Sequence, residues 1–116
     1  MKTLQKIYQN PLGSSYHIVD DINESRKIAM EINQISLLVE EHELEQLKTS
    51  TQKILSHYQG FYSDQSTENK TIVYKSKQAE IKMMLSFTQI KHLHDLLKGT
   101  IFRLSMSKLL SEFKIH

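Results

Sequence analysis

Residues 80–97 carry two hydrophobic periods back to back. Ile81, Met83, Leu85 and Phe87 fall on every second position, which turns one face of a strand towards a core. Ile90, Leu93, Leu96 and Leu97 then recur at helical spacing. Thr88 stands at the change of period and is expected to cap the helix, its hydroxyl accepting an amide proton of the first turn. The same order occurs earlier in the chain. From Arg26 onward, Ile28, Met30 and Ile32 alternate with Lys27, Ala29 and Glu31; Asn33-Gln34 interrupts, and Ile35, Leu37 and Val39 resume. Two alternating runs around an Asn-containing break predict a hairpin, because Asn tolerates the positive φ of a tight turn. Glu40, Glu41, Glu43 and Glu45 follow and predict a helix start, since carboxylates are favoured at the positive end of the macrodipole. Leu44, Leu47, Ile54, Leu55 and Tyr58 make the apolar stripe of that helix.

The flanking segments complete the pattern. Residues 3–9 and 14–20 predict two short strands around Asn10-Pro11-Leu12-Gly13, where Pro presets φ and Gly permits a turn; the first strand alternates poorly. Residues 20–25 form a polar connection, and 60–69 a linker rich in turn residues. Thr71-Ile72-Val73-Tyr74 is a strand by composition, and Lys75 to Ala79 turns the chain. Gly99 reads either as a tolerated helix residue or as a break. Met106, Leu109, Leu110 and Phe113 then predict a short final helix over 105–114, capped by Ser105. Residues 26–58 and 71–104 thus share one grammar of strand, turn, strand and helix. The expectation is a single α+β domain over 1–116: an antiparallel sheet built from two ββα units with helices on one face, plus an N-terminal hairpin and a short C-terminal helix. The pattern leaves open whether the two units share one sheet.

In this grammar the chain resembles an uncharacterised family of small Bacteroidota proteins, a domain of unknown function. Two patches carry the resemblance: Ile32-Asn33-Gln34-Ile35 with Leu37 and Glu40-Glu41-His42-Glu43-Leu44, and Ile81-Lys82-Met83-Met84-Leu85-Ser86-Phe87 with Leu93 and Leu96-Leu97. Many such relatives carry a Cys-x-x-Cys before the first strong strand. Here the corresponding positions are Ile22 and Ser25, so a metal or redox role tied to that pair is not implied. The resemblance implies a fold and no activity.

Composition narrows the chemistry. With no Cys there is no disulfide framework, thiolate zinc site or cysteine nucleophile. Met-Lys-Thr-Leu-Gln-Lys-Ile-Tyr is polar where a signal peptide needs an apolar run, and no apolar stretch approaches the roughly 20 residues that span a bilayer. A cytoplasmic protein without membrane contact is expected. The net charge of +2 is unevenly spread: residues 1–59 hold 6 Lys and Arg against 8 Asp and Glu, and residues 60–116 hold 9 against 5. Such asymmetry can steer an acidic partner, although an ordinary solvated surface has it too.

Catalytic constellations are lacking. His92 and His94 lie about 200° apart on a helix and cannot share one ion, so they read as structural histidines. The clustered glutamates share one solvated setting, unlike a carboxylate pair tuned for acid–base work. No phosphate-binding glycine loop or nucleophile elbow occurs. No catalytic, metal or cofactor-binding residue is assigned, and no cofactor is expected. Two surfaces remain. Met106, Leu109, Leu110 and Phe113 form an amphipathic stripe that could close the core, dock on a second copy or fill a partner's groove. Lys70, Tyr74, Lys75, Lys77 and Lys82 could contact phosphates and stack a base, or simply blunt an exposed sheet edge. The preferred reading is a non-enzymatic interaction module, adaptor or regulatory, with a protein partner or a second copy. The alternative is a weak nucleic-acid binder using the hairpin over 70–82, and an enzyme comes third.

Overall fold

The computed structural model describes residues 2–20, 27–58, 69–75 and 80–114. Its elements are β1 (Lys2–Gln9), β2 (Gly13–Asp20), β3 (Ile28–Ile32), β4 (Ile35–Val39), α1 (Glu41–Tyr58), β5 (Asn69–Lys75), β6 (Glu80–Ser86) and α2 (Phe87–Lys114). The α+β class and the antiparallel pairing are as the pattern predicts. The N-terminal hairpin joins the first ββ unit in one four-stranded sheet, ordered β1-β2-β3-β4, while β5 and β6 form a separate two-stranded sheet. The connection at 21–25, the linker as far as residue 68 and the turn at 76–79 lie outside the described residues; Asn69, expected in the linker, opens β5.

Alternation decides which way each strand faces. Ile28, Met30 and Ile32 of β3 and Leu37 and Val39 of β4 are buried in one cluster with Leu44 and Leu47 of α1 and Ile90, Leu93, Leu96 and Leu97 of α2. The second sheet adds Ile72, Tyr74, Met83 and Leu85 to the same core. Asn33 takes the positive φ (55°) of the β3–β4 turn. The poor alternation of β1 has a physical cause. The register shifts between Lys6 and Tyr8, so the strand bulges at Ile7, and the consecutive Ile7 and Tyr8 both pack against the core.

The Asn10–Gly13 turn closes with reciprocal backbone hydrogen bonds, and the Asn10 side-chain oxygen accepts from the Leu12 and Gly13 amides. Its side-chain amide donates to the His92 carbonyl (2.6 Å) and to Asp95 Oδ2 (3.0 Å), which also accepts the Tyr8 hydroxyl (2.9 Å). This network docks the N-terminal hairpin onto α2. A buried second tie lies nearby: Thr100 donates to the Leu96 carbonyl, leaving its oxygen to accept from Ser15 at 2.6 Å.

Two expectations about α2 are corrected. Ser86, not Thr88, caps it: the Ser86 hydroxyl accepts from the Gln89 amide, and the Gln89 side chain accepts from the Ser86 amide, a reciprocal capping box. And 105–114 is no separate helix capped by Ser105, because α2 runs unbroken for 28 residues through Gly99. Gly99 is there for packing. A Cβ at that position would meet the Tyr8 ring at 2.6 Å.

Gly99→Ala therefore sets two effects against each other: a gain of about 1 kcal/mol in helix propensity, and a collision with a ring that Asp95 holds in place. The expected result in denaturant titrations is a net loss of about 1 kcal/mol in the native background and a net gain of about 1 kcal/mol when Tyr8 is also alanine. A gain in both backgrounds would show that Tyr8 does not restrain position 99.

Candidate functional site

α1 and α2 run antiparallel. Thr51 of α1 meets His94 of α2, and Glu41 at the start of α1 meets Lys108 near the end of α2 (2.6 Å). The start of α1 is built as its acidic residues predict: the Glu40 carbonyl takes the Glu43 and Leu44 amides, and Glu43 Oε1 accepts from the Glu40 amide. Glu40, His42 and Glu43 each place one ligand-type atom within 4.8 Å of the others. Glu43 already has both oxygens in hydrogen bonds, one to the Glu40 amide and one to the Tyr74 hydroxyl (2.7 Å). The trio is adequately explained as a helix start.

His94 is half-buried between the helices. The Thr51 hydroxyl donates to the Lys48 carbonyl, which leaves its oxygen to accept from His94 Nδ1–H at 3.0 Å. Burial first, then Lys98 and Lys48, push the imidazole below its ordinary pKa, with Asp95 opposing. The ring is neutral at pH 7. The unfolded chain takes up this proton near pH 6.5 while the folded chain still resists it, so stability falls as pH drops below about 6.5. Replacing the ring by His94→Asn is expected to flatten the decline in melting temperature between about pH 7 and pH 5; an unchanged slope would place the titration elsewhere.

The distinctive feature is the second half of α2. At about 100° per residue, Phe102, Met106, Leu109 and Leu110 lie on roughly the opposite side of the helix from Ile90, Leu93, Leu97 and Leu104. In the second set Ile90, Leu93 and Leu97 are buried, and Leu104 is partly buried against the core. The first set stands in solvent: Phe102 is 64% exposed, Met106 40%, Leu109 46% and Leu110 53%. Beyond Leu104, the core-side positions are taken by Ser107, Lys108 and Ser111, all exposed. The helix, about 42 Å long at 1.5 Å per residue, thus overruns the core. Where it does so its apolar stripe faces outward, so core closure does not explain the stripe. Phe113 continues the spacing, with its side chain outside the described residues.

A half-open groove of about 660 Å³ lies between this overhang and β1. Ile7, Leu104, Met106 and Leu110 supply apolar lining, and Lys6 and Arg103 are among its polar walls. Arg103 sits 5.9 Å from the centre of the Tyr8 ring, whose hydroxyl is fixed by Asp95. That hydrogen bond, more than burial, raises the Tyr8 pKa.

The lysine hairpin is arranged differently from its expectation. Tyr74 points into the core, only 5% exposed, and gives its hydroxyl to Glu43. Burial and that bond raise its pKa. The ring is therefore not placed to stack on a base. Lys75 and Lys82 are exposed on the outer face of the hairpin, with Lys75 opposite Glu80 and Lys82 opposite Val73. Lys70 pairs with Leu85 through the backbone, but its side chain and the whole of Lys77 lie outside the described residues. The outer face also carries exposed Val73 and Met84. No helix among the described residues is long and apolar enough to cross a membrane. No family model, curated protein or solved structure matches the chain.

Proposed function

We propose that this protein is a non-enzymatic, cytoplasmic interaction module that binds a protein partner through the overhanging half of α2. One observation carries the reading: the helix bears a second apolar face, of Phe102, Met106, Leu109 and Leu110, turned away from the core and open to solvent. Exposed apolar side chains clustered in this way mark association surfaces, and a helix face with anchors at i, i+4 and i+7 suits docking into or beside another helix. A nucleic-acid interface on the β5–β6 hairpin is the weaker alternative, because its aromatic residue is buried and Lys75 faces Glu80.

The test is capture of partners from native extract after nuclease treatment, comparing the native protein with Phe102→Asp. A protein retained by the native chain and lost with Phe102→Asp supports the proposal. Nucleic acid as the captured species, or capture indifferent to Phe102→Asp, would overturn it.

A further inference from the structure

We infer that the groove between the α2 overhang and β1 receives an acidic amphipathic helix of that partner. The inference rests on the interaction reading and adds the chemistry of what is bound. Charge is the first ground. Glu41 is the one carboxylate lining the groove among the described residues, and Lys108 already neutralises it at 2.6 Å. That leaves Lys6 and Arg103. Lys6 donates to the Gln9 side chain and lies 6.0 Å from the Tyr16 ring centre, and Arg103 lies over Tyr8. Among the described residues neither forms an ion pair with a carboxylate, so a strand wall and a helix wall each offer a cation to a ligand.

Shape and floor are the second ground. Ile7, Leu104, Met106 and Leu110 line the same groove as those cations. Met106 and Leu110 belong also to the outward stripe, so the apolar surface continues from the groove onto the open helix face. A small ligand would leave that continuation exposed. A helix about 10 Å across covers both, its apolar residues on the floor and its carboxylates towards Lys6 and Arg103. A polyanion without apolar residues would leave the floor uncovered.

The experiment uses the full-length protein and three dye-labelled peptides of about 18 residues, with one apolar face in common and a polar face of Glu, Gln or Lys. Fluorescence anisotropy is expected to show the Glu peptide binding at least about tenfold more tightly than the Gln peptide, with the Lys peptide weakest. Arg103→Glu and Lys6→Glu, each verified as folded by circular dichroism, are expected to weaken the Glu peptide about tenfold, and about 0.5 M salt should remove most of its advantage. Equal binding of the Glu and Gln peptides, no binding of the Glu peptide, or indifference to both charge reversals would overturn the inference. Such a failure is separable from failure of the interaction reading, which is judged by Phe102→Asp and partner capture.

Discussion

Gly13→Ala is expected to cost about 3 kcal/mol of folding stability, a large share of the roughly 5–15 kcal/mol by which domains of this kind are stable. The reason is close approach. A Cβ at Gly13 would overlap the Glu31 carbonyl oxygen and stand 2.9 Å from its carbon, so it meets backbone rather than a side chain that can swing aside. The φ of Gly13 is not positive, so conformational freedom is not what the position requires. Relief means separating β2 from β3 where Gly13 pairs with Ile32, beside the hydrogen bond from the Asn33 amide to the Leu12 carbonyl. Chemical denaturation gives the loss directly. A change below about 0.5 kcal/mol would show that β2 and β3 do not approach this closely.

The second large effect separates the two faces of α2. Leu96 is fully buried, and Leu96→Ala is expected to lose about 3 kcal/mol through lost transfer energy and a residual cavity. Leu109→Asp, on the outward stripe, is expected to change the stability of the isolated protein by less than about 0.5 kcal/mol while abolishing partner capture. The contrast within one helix is the signature of a face kept for association. A loss of several kcal/mol in Leu109→Asp would mean that the stripe is packed within the protein.

Much of this arrangement was legible in the chain. The alternation of Ile28, Met30 and Ile32 and of Ile35, Leu37 and Val39, with Asn33 at the turn, specifies a hairpin because period two and a residue tolerant of positive φ leave few other solutions. The second ββα unit is equally plain. Tyr74 could have been placed too: it shares strand parity with Ile72, which points to the core. The capping box is written in the chain as Ser86-x-x-Gln89, although Thr88, with a hydroxyl nearer the helical apolar run, offers the same capping chemistry.

What the sequence could not supply was long-range. Gly99 reads equally as a tolerated helix residue or as a break until Tyr8, 91 positions earlier, is found lying on it. Once the break is gone, the phase of Phe102, Met106, Leu109 and Leu110 relative to Leu93 and Leu97 follows from helical geometry, and the stripe falls on the outward side. The groove is further from sequence reasoning, since Lys6 and Arg103 come to line one groove through long-range ties, the Asn10–Tyr8–Asp95 network and the Ser15–Thr100 hydrogen bond, that dock the hairpin onto α2.

The chain has no native Cys, so single-cysteine variants report solvent access without background. The most direct measurement compares thiol-labelling rates of Phe102→Cys and Leu109→Cys with that of Leu97→Cys, in the free protein and after partner capture. Rapid labelling at 102 and 109, slow labelling at 97, and protection of 102 and 109 in the complex is the predicted result. Labelling at 109 as slow as at 97 in the free protein, or no protection on complex formation, would contradict an outward face of α2 kept for a partner.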